Sequence, residues 1–282
     1  MAESPTVKAE AAEATGENRI TVLYQMGKVG STSVHGALLD AELDNPVYKV
    51  HFLSDQGIAH GEKFHLETLK NPWEEMPHTQ TTRTVREAMA ADPGLKLDVV
   101  TLVREPVRRE VSEFFQYLQA LHPELLDEDG LLKTERAARV LQARFMFFKE
   151  ATNYTCRWFD MEIKALFGLD VFAFPFDHDR GYTLIEQGNV RLLILRLEDL
   201  DQTLNPGLRE LVGPGYRDWQ GRGGKDRANV GSRKQSGDQY KQLVANFRLR
   251  PSVAEKIYGT RYARHFYTAS ERQAFLEAWT AE

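Results

Sequence analysis

The chain has 282 residues, 42% hydrophobic and 27% charged, an ordinary globular mixture that excludes collagen-like, coiled-coil and wholly disordered architectures. Lysine and arginine number 36 against 41 acidic residues, a net charge of −5, which argues against a nucleic-acid partner bound by counterion release. The lone Cys156 cannot form an internal disulfide and fits a reducing compartment; no apolar run approaches the ~20 residues of a membrane span and no signal segment opens the chain, so the expectation is a cytoplasmic protein without a membrane span.

Residues 1–18 hold five Ala and four Glu with almost no aliphatic bulk. Such a segment buries too little apolar surface to offset its ordering entropy, and reads as a disordered tail. The remainder, 19–282, contains no evident linker and reads as one α/β domain with helical insertions.

From Arg19 the pattern changes. Residues 20–25 (ITVLYQ) read as a buried strand. A glycine-containing turn, Met26-Gly27-Lys28-Val29-Gly30-Ser31-Thr32-Ser33, then leads into a helix to about Leu43. Residues 47–52 (VYKVHF) form a second strand, 79–91 a helix closed by Asp92-Pro93-Gly94, and 97–103 (LDVVTLV) a third strand. Pro106 opens a long helix, and 106–168 is mostly helical. Strand-like material returns at 171–174, 182–186 and 190–197. Residues 216–234 carry four Gly, six basic and two acidic residues and read as a mobile cationic loop. Strands alternating with helices imply a mostly parallel sheet covered on both faces.

Two places carry anion chemistry. Gly27 and Gly30 let the backbone approach a phosphate, the first helical turn points N–H groups at it, and Lys28, Ser31, Thr32 and Ser33 add a charge and hydroxyl donors. Walker A places its Lys directly after the last glycine; here Lys28 lies between the two glycines, the wrong order for a nucleotide triphosphatase. The alternative for this turn is a tight strand–helix connection capped by its own hydroxyls. The second place follows the third strand, where Arg104, Arg108 and Ser112 fall at i, i+4 and i+8 beside an apolar face of Val107, Val111, Phe114 and Leu118. It sits at the carboxyl end of a strand, where open α/β sheets bind ligands. Its alternative is a solvated charged face with Arg108 and Arg109 paired to Glu105 or Glu113.

In combination, QMGKVGSTS and LVREPVRREVSEFF resemble the two donor-binding motifs of the sulfotransferases that use 3′-phosphoadenosine 5′-phosphosulfate (PAPS). The first matches the family's 5′-phosphosulfate loop, with Lys28, Val29, Gly30, Ser31, Thr32 and Ser33. The second matches its 3′-phosphate motif, with Arg104 and Ser112. NVGSRKQSGDQY resembles the family's basic loop that closes over the donor, with Arg233-Lys234-Gln235 where the family has R-K-G. The overall layout is most similar to bacterial sulfotransferase-like proteins labelled as capsular polysaccharide synthesis proteins, on VHFLS, LILRLEDL and RHFYTASE.

The resemblance implies a P-loop-like three-layer sulfotransferase fold. It also implies PAPS as donor, 3′-phosphoadenosine 5′-phosphate (PAP) as product, a hydroxyl-bearing acceptor such as a carbohydrate, and no metal ion. Lys28 would stabilise the leaving phosphate. His51, with an ordinary pKa near 6.5, is the expected general base; its alternative is a half-buried structural histidine. Glu198 and Asp199 are weaker candidates, read as turn caps. The other seven histidines lack metal-ligand spacing and read as surface or satisfied core groups. Cys156 reads as a buried small residue. Trp73, Trp219 and Phe145-Met146-Phe147-Phe148 are candidates for lining a sugar or lipid site, with core packing the alternative for the Phe cluster. Two rival functions stand beside the transferase: a non-catalytic module for phosphate or sulfate ligands, and a nucleotide-dependent kinase.

Overall fold

The structure of the protein is a computed structural model that describes residues 18–70, 77–221 and 234–280. The acidic tail, apart from Asn18, together with Trp73 and Arg233, lies outside the described residues.

The sheet begins with β1 (Arg19–Tyr24), buried at five of its six positions. The chain continues through α1 (Ser31–Asp40), β2 (Val47–Val50), α2 (Asp55–Lys63), a π-helical turn at Phe64–Leu69 and α3 (Pro77–Ala91). Next come β3 (Lys96–Val103), α4 (Pro106–Gln116), the short α5 (Leu118–Leu121) and α6 (Thr134–Met146). Toward the end of the mostly helical stretch 106–168, the chain divides into α7 (Tyr154–Trp158), a π-helical turn Phe159–Lys164 and α8 (Ala165–Phe167). The hairpin β4 (Tyr182–Gln187) and β5 (Val190–Arg196) precedes α9 (Leu200–Val212), and α10 (Lys234–Asn246), α11 (Pro251–Tyr258), α12 (Arg261–Phe266) and α13 (Ala269–Thr280) complete the described chain. Residues 171–174 are not a strand: Val171–Ala173 form a 3-10 turn capped by the Asp170 carboxylate, which accepts from the Phe172 N–H.

The five strands take the order β2-β1-β3-β5-β4. All neighbours run parallel except β4, which pairs antiparallel to β5. β3 and β5 are mostly apolar and almost wholly buried because parallel strands in the middle of a sheet are covered on both faces. Asp98 is the exception on β3: 5% exposed, it is held by Arg19 at 2.6 Å and Arg191 at 3.5 Å, one from each neighbouring strand. The sheet and the helices lying on it form one apolar cluster, while α4, α6, α10, α11 and α13 enclose a second around Val111, Phe247 and Ile257. Among the described residues, no helix is long and apolar enough to cross a membrane.

The strand order fixes where a ligand can sit. From β1 the chain moves outward to β2 on one side, and β3 lies on the other side, so the sheet order reverses between β1 and β3. At such a switch point the loops leaving the two carboxyl ends diverge and open a crevice.

Candidate functional site

The crevice is occupied by a cleft of about 870 Å³, within the range of small-molecule sites. Its first wall is the β1–α1 turn. Lys28 has φ 69° and Gly30 φ 83°, so the chain makes two left-handed steps before α1 begins. A side chain at Gly30 would also run into Leu197, whose Cδ1 lies 2.3 Å from the Cβ position. Gly30 is the N-cap of α1 and no side chain caps that terminus, so the first-turn N–H groups border the cleft with a positive dipole end. Gly27, Lys28, Gly30, Ser31 and Thr32 all line it. Val29 is fully buried in the core, and neither it nor Ser33 is among the lining residues.

The second wall comes from β3 and α4. Pro106 occupies the first helical turn, and the Glu105 carboxylate accepts from the N–H groups of Val107 and Arg108, both at 2.8 Å. The helix therefore begins two residues after Arg104, which sits in the turn and escapes the helical period. Arg104 and Ser112 line the cleft as expected, but Arg108 does not; its guanidinium lies over the Trp279 ring, 5.6 Å from the centroid. Arg109 takes the place expected of Arg108. It is 1% exposed and donates from Nε to Gly27 O at 3.1 Å, while Arg104 Nη1 donates to Lys28 O at 2.9 Å. Two arginines of the β3 arm thus brace successive carbonyls of the glycine turn, and the two motifs form one unit.

Arg109 also pairs with Glu110 at 2.8 Å and Glu113 at 2.5 Å, and Arg144 from α6 reaches Glu113 at 3.2 Å. Burial pushes the Glu113 carboxyl up, but Arg109 and Arg144 outweigh it and hold the group below the usual carboxylate range. The lining residues include the cations Lys28, Lys49, Arg104, Arg109 and Arg144 against the single carboxylate Glu113, so the cleft attracts anions.

On the β2 side, His51 follows directly after the strand's last residue, Val50, and lines the cleft with Lys49. Its Nδ1 lies 3.0 Å from Gln25 O and 3.1 Å from the Gln25 side-chain amide. The carbonyl accepts only from a protonated Nδ1 and the amide N–H donates only to an unprotonated one, so the two contacts favour opposite tautomers, and the carbonyl contact is the one that leaves the lone pair on Nε2. Burial lowers the pKa of His51; the Gln25 carbonyl opposes this and Lys49 reinforces it. The ring is therefore neutral at neutral pH, the form a proton acceptor needs.

The β2–α2 connection after His51 is fixed from below. Glu162, on the π-helical turn, accepts from Leu53 N at 3.2 Å and Ser54 N at 3.0 Å, and from the Tyr24 hydroxyl. Gly57 lies so close that a Cβ there would fall 1.5 Å from Glu162 Oε1.

The cleft beyond His51 is aromatic. His60 stacks on Tyr154 with centroids 4.9 Å apart and planes 11° from parallel, and Phe64 meets Tyr117 edge-on at 5.2 Å. His60, a surface group, and His65, a buried one, both border this region as well. Glu198 is absent from the lining: it accepts from Glu105 N at 2.8 Å and from the Tyr267 hydroxyl at 3.1 Å, bracing the turn that carries Arg104. Asp199 pairs with Arg196. Trp219 donates to Asp40 at 2.9 Å and packs over Gly36, away from the cleft. Phe145 is core, tilted against Phe247 at 5.5 Å. Cys156 is buried as expected, and burial pushes its thiol up to about 12. Lys234 opens α10, at the edge of the described residues.

Lys49 was legible in advance, since residues two apart on a strand share a face and it stands two before His51. Arg144 and Tyr154 carry no local signal, because only the packing of α6 and α7 against α4 brings them to the cleft.

Comparison with curated proteins and with solved structures returns no match. Residues 132–268, just under half of the chain, match the model of the NKWYS family, described as "Putative capsular polysaccharide synthesis protein". That segment contains Arg144, Tyr154 and Leu197 of the cleft lining, but not the Lys28 turn, His51, Arg104 or Ser112. In this part the chain is similar to proteins associated with capsular polysaccharide synthesis.

Proposed function

We propose that the protein is a sulfotransferase that moves a sulfuryl group from PAPS to a carbohydrate hydroxyl. The observation that carries this reading is the convergence of two anion-binding arms, Lys28 with Gly30–Thr32 and Arg104 with Ser112, on one cleft that also holds a neutral imidazole. A donor with phosphate groups on both its 5′ and 3′ positions needs two such arms, whereas one suffices for an ordinary nucleotide tail.

In the proposed step the acceptor oxygen attacks sulfur in line as the sulfur–oxygen bond to the 5′-phosphate breaks. His51 Nε2 takes the hydroxyl proton. The electron pair of the broken bond stays on the phosphate oxygen of PAP, where Lys28 and the uncapped N–H groups of α1 stabilise it. Burial keeps the imidazole neutral, and Lys49 beside it reinforces this and adds charge at the sulfonate. The aromatic end, with Phe64, Tyr117 and the His60–Tyr154 stack, suits the apolar face of a sugar ring. The similarity to a capsular polysaccharide synthesis family supports the same acceptor class.

Thermal unfolding with PAP, and separately with ATP plus magnesium, tests the reading. A ligand at ~100 times its dissociation constant adds about 2.7 kcal/mol, a Tm rise of several degrees. Arg104→Ala should weaken PAP by about 1.5–3 kcal/mol, and Lys28→Ala should abolish sulfuryl transfer with the fold intact. Stabilisation by ATP with magnesium and none by PAP would replace the sulfotransferase by a kinase. PAP binding with no transfer to any hydroxyl acceptor would leave a binding module.

A further inference from the structure

Away from the cleft, the end of α6 and the junction of α10 with α11 form a second hollow of about 300 Å³. Arg139, Gln142 and Met146 of α6 line it from one side, at i, i+3 and i+7, and Arg248, Arg250 and Val253 from the other. Three guanidinium groups thus meet with no carboxylate among the lining residues. Arg248 is oriented by donating from Nη1 to Ala245 O at 2.9 Å and Phe247 O at 2.8 Å. Arg139 and Arg250 form no ion pair among the described residues.

Met146, which lines the hollow, and Phe147, next to it in the chain, are both exposed. Phe147 is 81% exposed and Met146 51%, the first being the most exposed large apolar side chain among the described residues. Phe147 is not a loose tail: it ends α6, its N–H bonded to Arg144 O at 3.3 Å, between buried Phe145 and half-buried Phe148. An aromatic held out at a helix end, next in sequence to a residue of an arginine-lined hollow, is the pattern of a surface that meets the boundary between lipid headgroups and acyl chains. Guanidinium groups bind phosphate bidentately, and phosphate is the charge that anionic phospholipids present.

We propose that this face docks the protein on an anionic phospholipid bilayer, with Phe147 and Met146 inserted at the acyl boundary and Arg139, Arg248 and Arg250 holding headgroup phosphates. This is peripheral attachment, in keeping with the absence of a membrane-crossing helix among the described residues. Because α6 also sends Arg144 into the cleft, docking here would fix the cleft's placement relative to the bilayer.

Co-sedimentation with phosphatidylglycerol–phosphatidylcholine vesicles and with pure phosphatidylcholine vesicles tests the proposal, using the full chain. The wild type should bind the anionic vesicles, release at high salt and ignore the neutral ones. Arg139→Gln with Arg250→Gln should lower affinity about 30-fold, or ~2 kcal/mol at ~1 kcal/mol per surface charge. Phe147→Ser should lower it about 10-fold or more, and unchanged Tm values in these exposed variants would show that the fold is intact. Absence of vesicle binding, or equal binding by the variants, overturns the proposal. So does saturation by glycerol 3-phosphate at concentrations that strip the protein from vesicles, which would make the hollow a site for free phosphate esters. A Phe147→Ser variant that turns an oligomer into a monomer without affecting vesicle binding would assign the face to self-association instead.

Discussion

Arg109 is the residue on which the two arms of the cleft depend, and Arg109→Met isolates its charge while keeping most of its stem. The guanidinium is buried, bridges Glu110 at 2.8 Å and Glu113 at 2.5 Å, donates to Gly27 O at 3.1 Å, and lies over Tyr154 at 5.1 Å from the ring centroid. Removing one partner of a buried ion pair costs about 3–5 kcal/mol because the remaining charge is left uncompensated. Here the lower end applies: Arg144 still reaches Glu113 at 3.2 Å, and Thr155 still donates to Glu110 at 2.9 Å. The expected loss of ~3 kcal/mol corresponds to a Tm lowered by roughly 6–12 °C. The loss also depends on pH. In the wild type Glu113 is held below its ordinary value, so it contributes stability above the unfolded pKa of ~4.3 and loses it as pH falls through the folded one. In the variant burial is less opposed, the folded pKa rises, and a protonated Glu113 becomes tolerable at moderately acid pH. The gap between the two proteins is therefore widest near neutrality and narrows toward acid. Urea unfolding at about pH 7.5 and about pH 5 reads both terms. A gap under ~1 kcal/mol, or one of the same size at both pH values, would refute the argument that Arg109 acts as a charge clamp.

Other perturbations probe neighbouring parts of the site. Gly57→Ala should displace the Glu162 carboxylate and free the N–H groups of Leu53 and Ser54, costing ~2–4 kcal/mol; a Tm within a degree of wild type would show that Glu162 is not packed as described. Lys49→Met removes a charge that depresses His51, so the acid limb of kcat/KM should move to higher pH; an unmoved limb means that the titrating base is another group. Gly30→Ala should cost ~1–2 kcal/mol for its left-handed backbone in addition to the clash with Leu197. Adding Leu197→Ala should relieve the clash and leave the backbone cost, and complete rescue of the Tm would contradict the left-handed φ as the source.

Much of this molecule was written locally. The run ITVLYQ, the turn through Gly27 and Gly30, and LDVVTLV followed by Pro106 each encode their own conformation, since strand patterning, glycine freedom and proline's fixed φ act between chain neighbours. Arg104 and Ser112 both line the cleft as the sequence led one to expect, although Arg104 does so from the turn before α4 and not through the helical spacing. Local reasoning failed where a neighbour in sequence was not the deciding neighbour in space. Arg108 and Arg109 were indistinguishable as letters; the start of α4, set by Glu105 and Pro106, decided which one turns inward. Segment 171–174 has strand-like residues, but the Asp170 carboxylate caps Val171–Ala173 as a 3-10 turn and the segment joins no strand of the sheet. The His51 ring is held by Gln25, 26 residues away, and its loop depends on Glu162, 109 residues from Leu53. Sequence by itself determined the strands, the anion-binding turn and the charge available to it. Only the tertiary structure decided which cations share a cleft and which carboxylates hold them, because buried ion pairs form between groups that the packing of separate elements brings within a few ångströms.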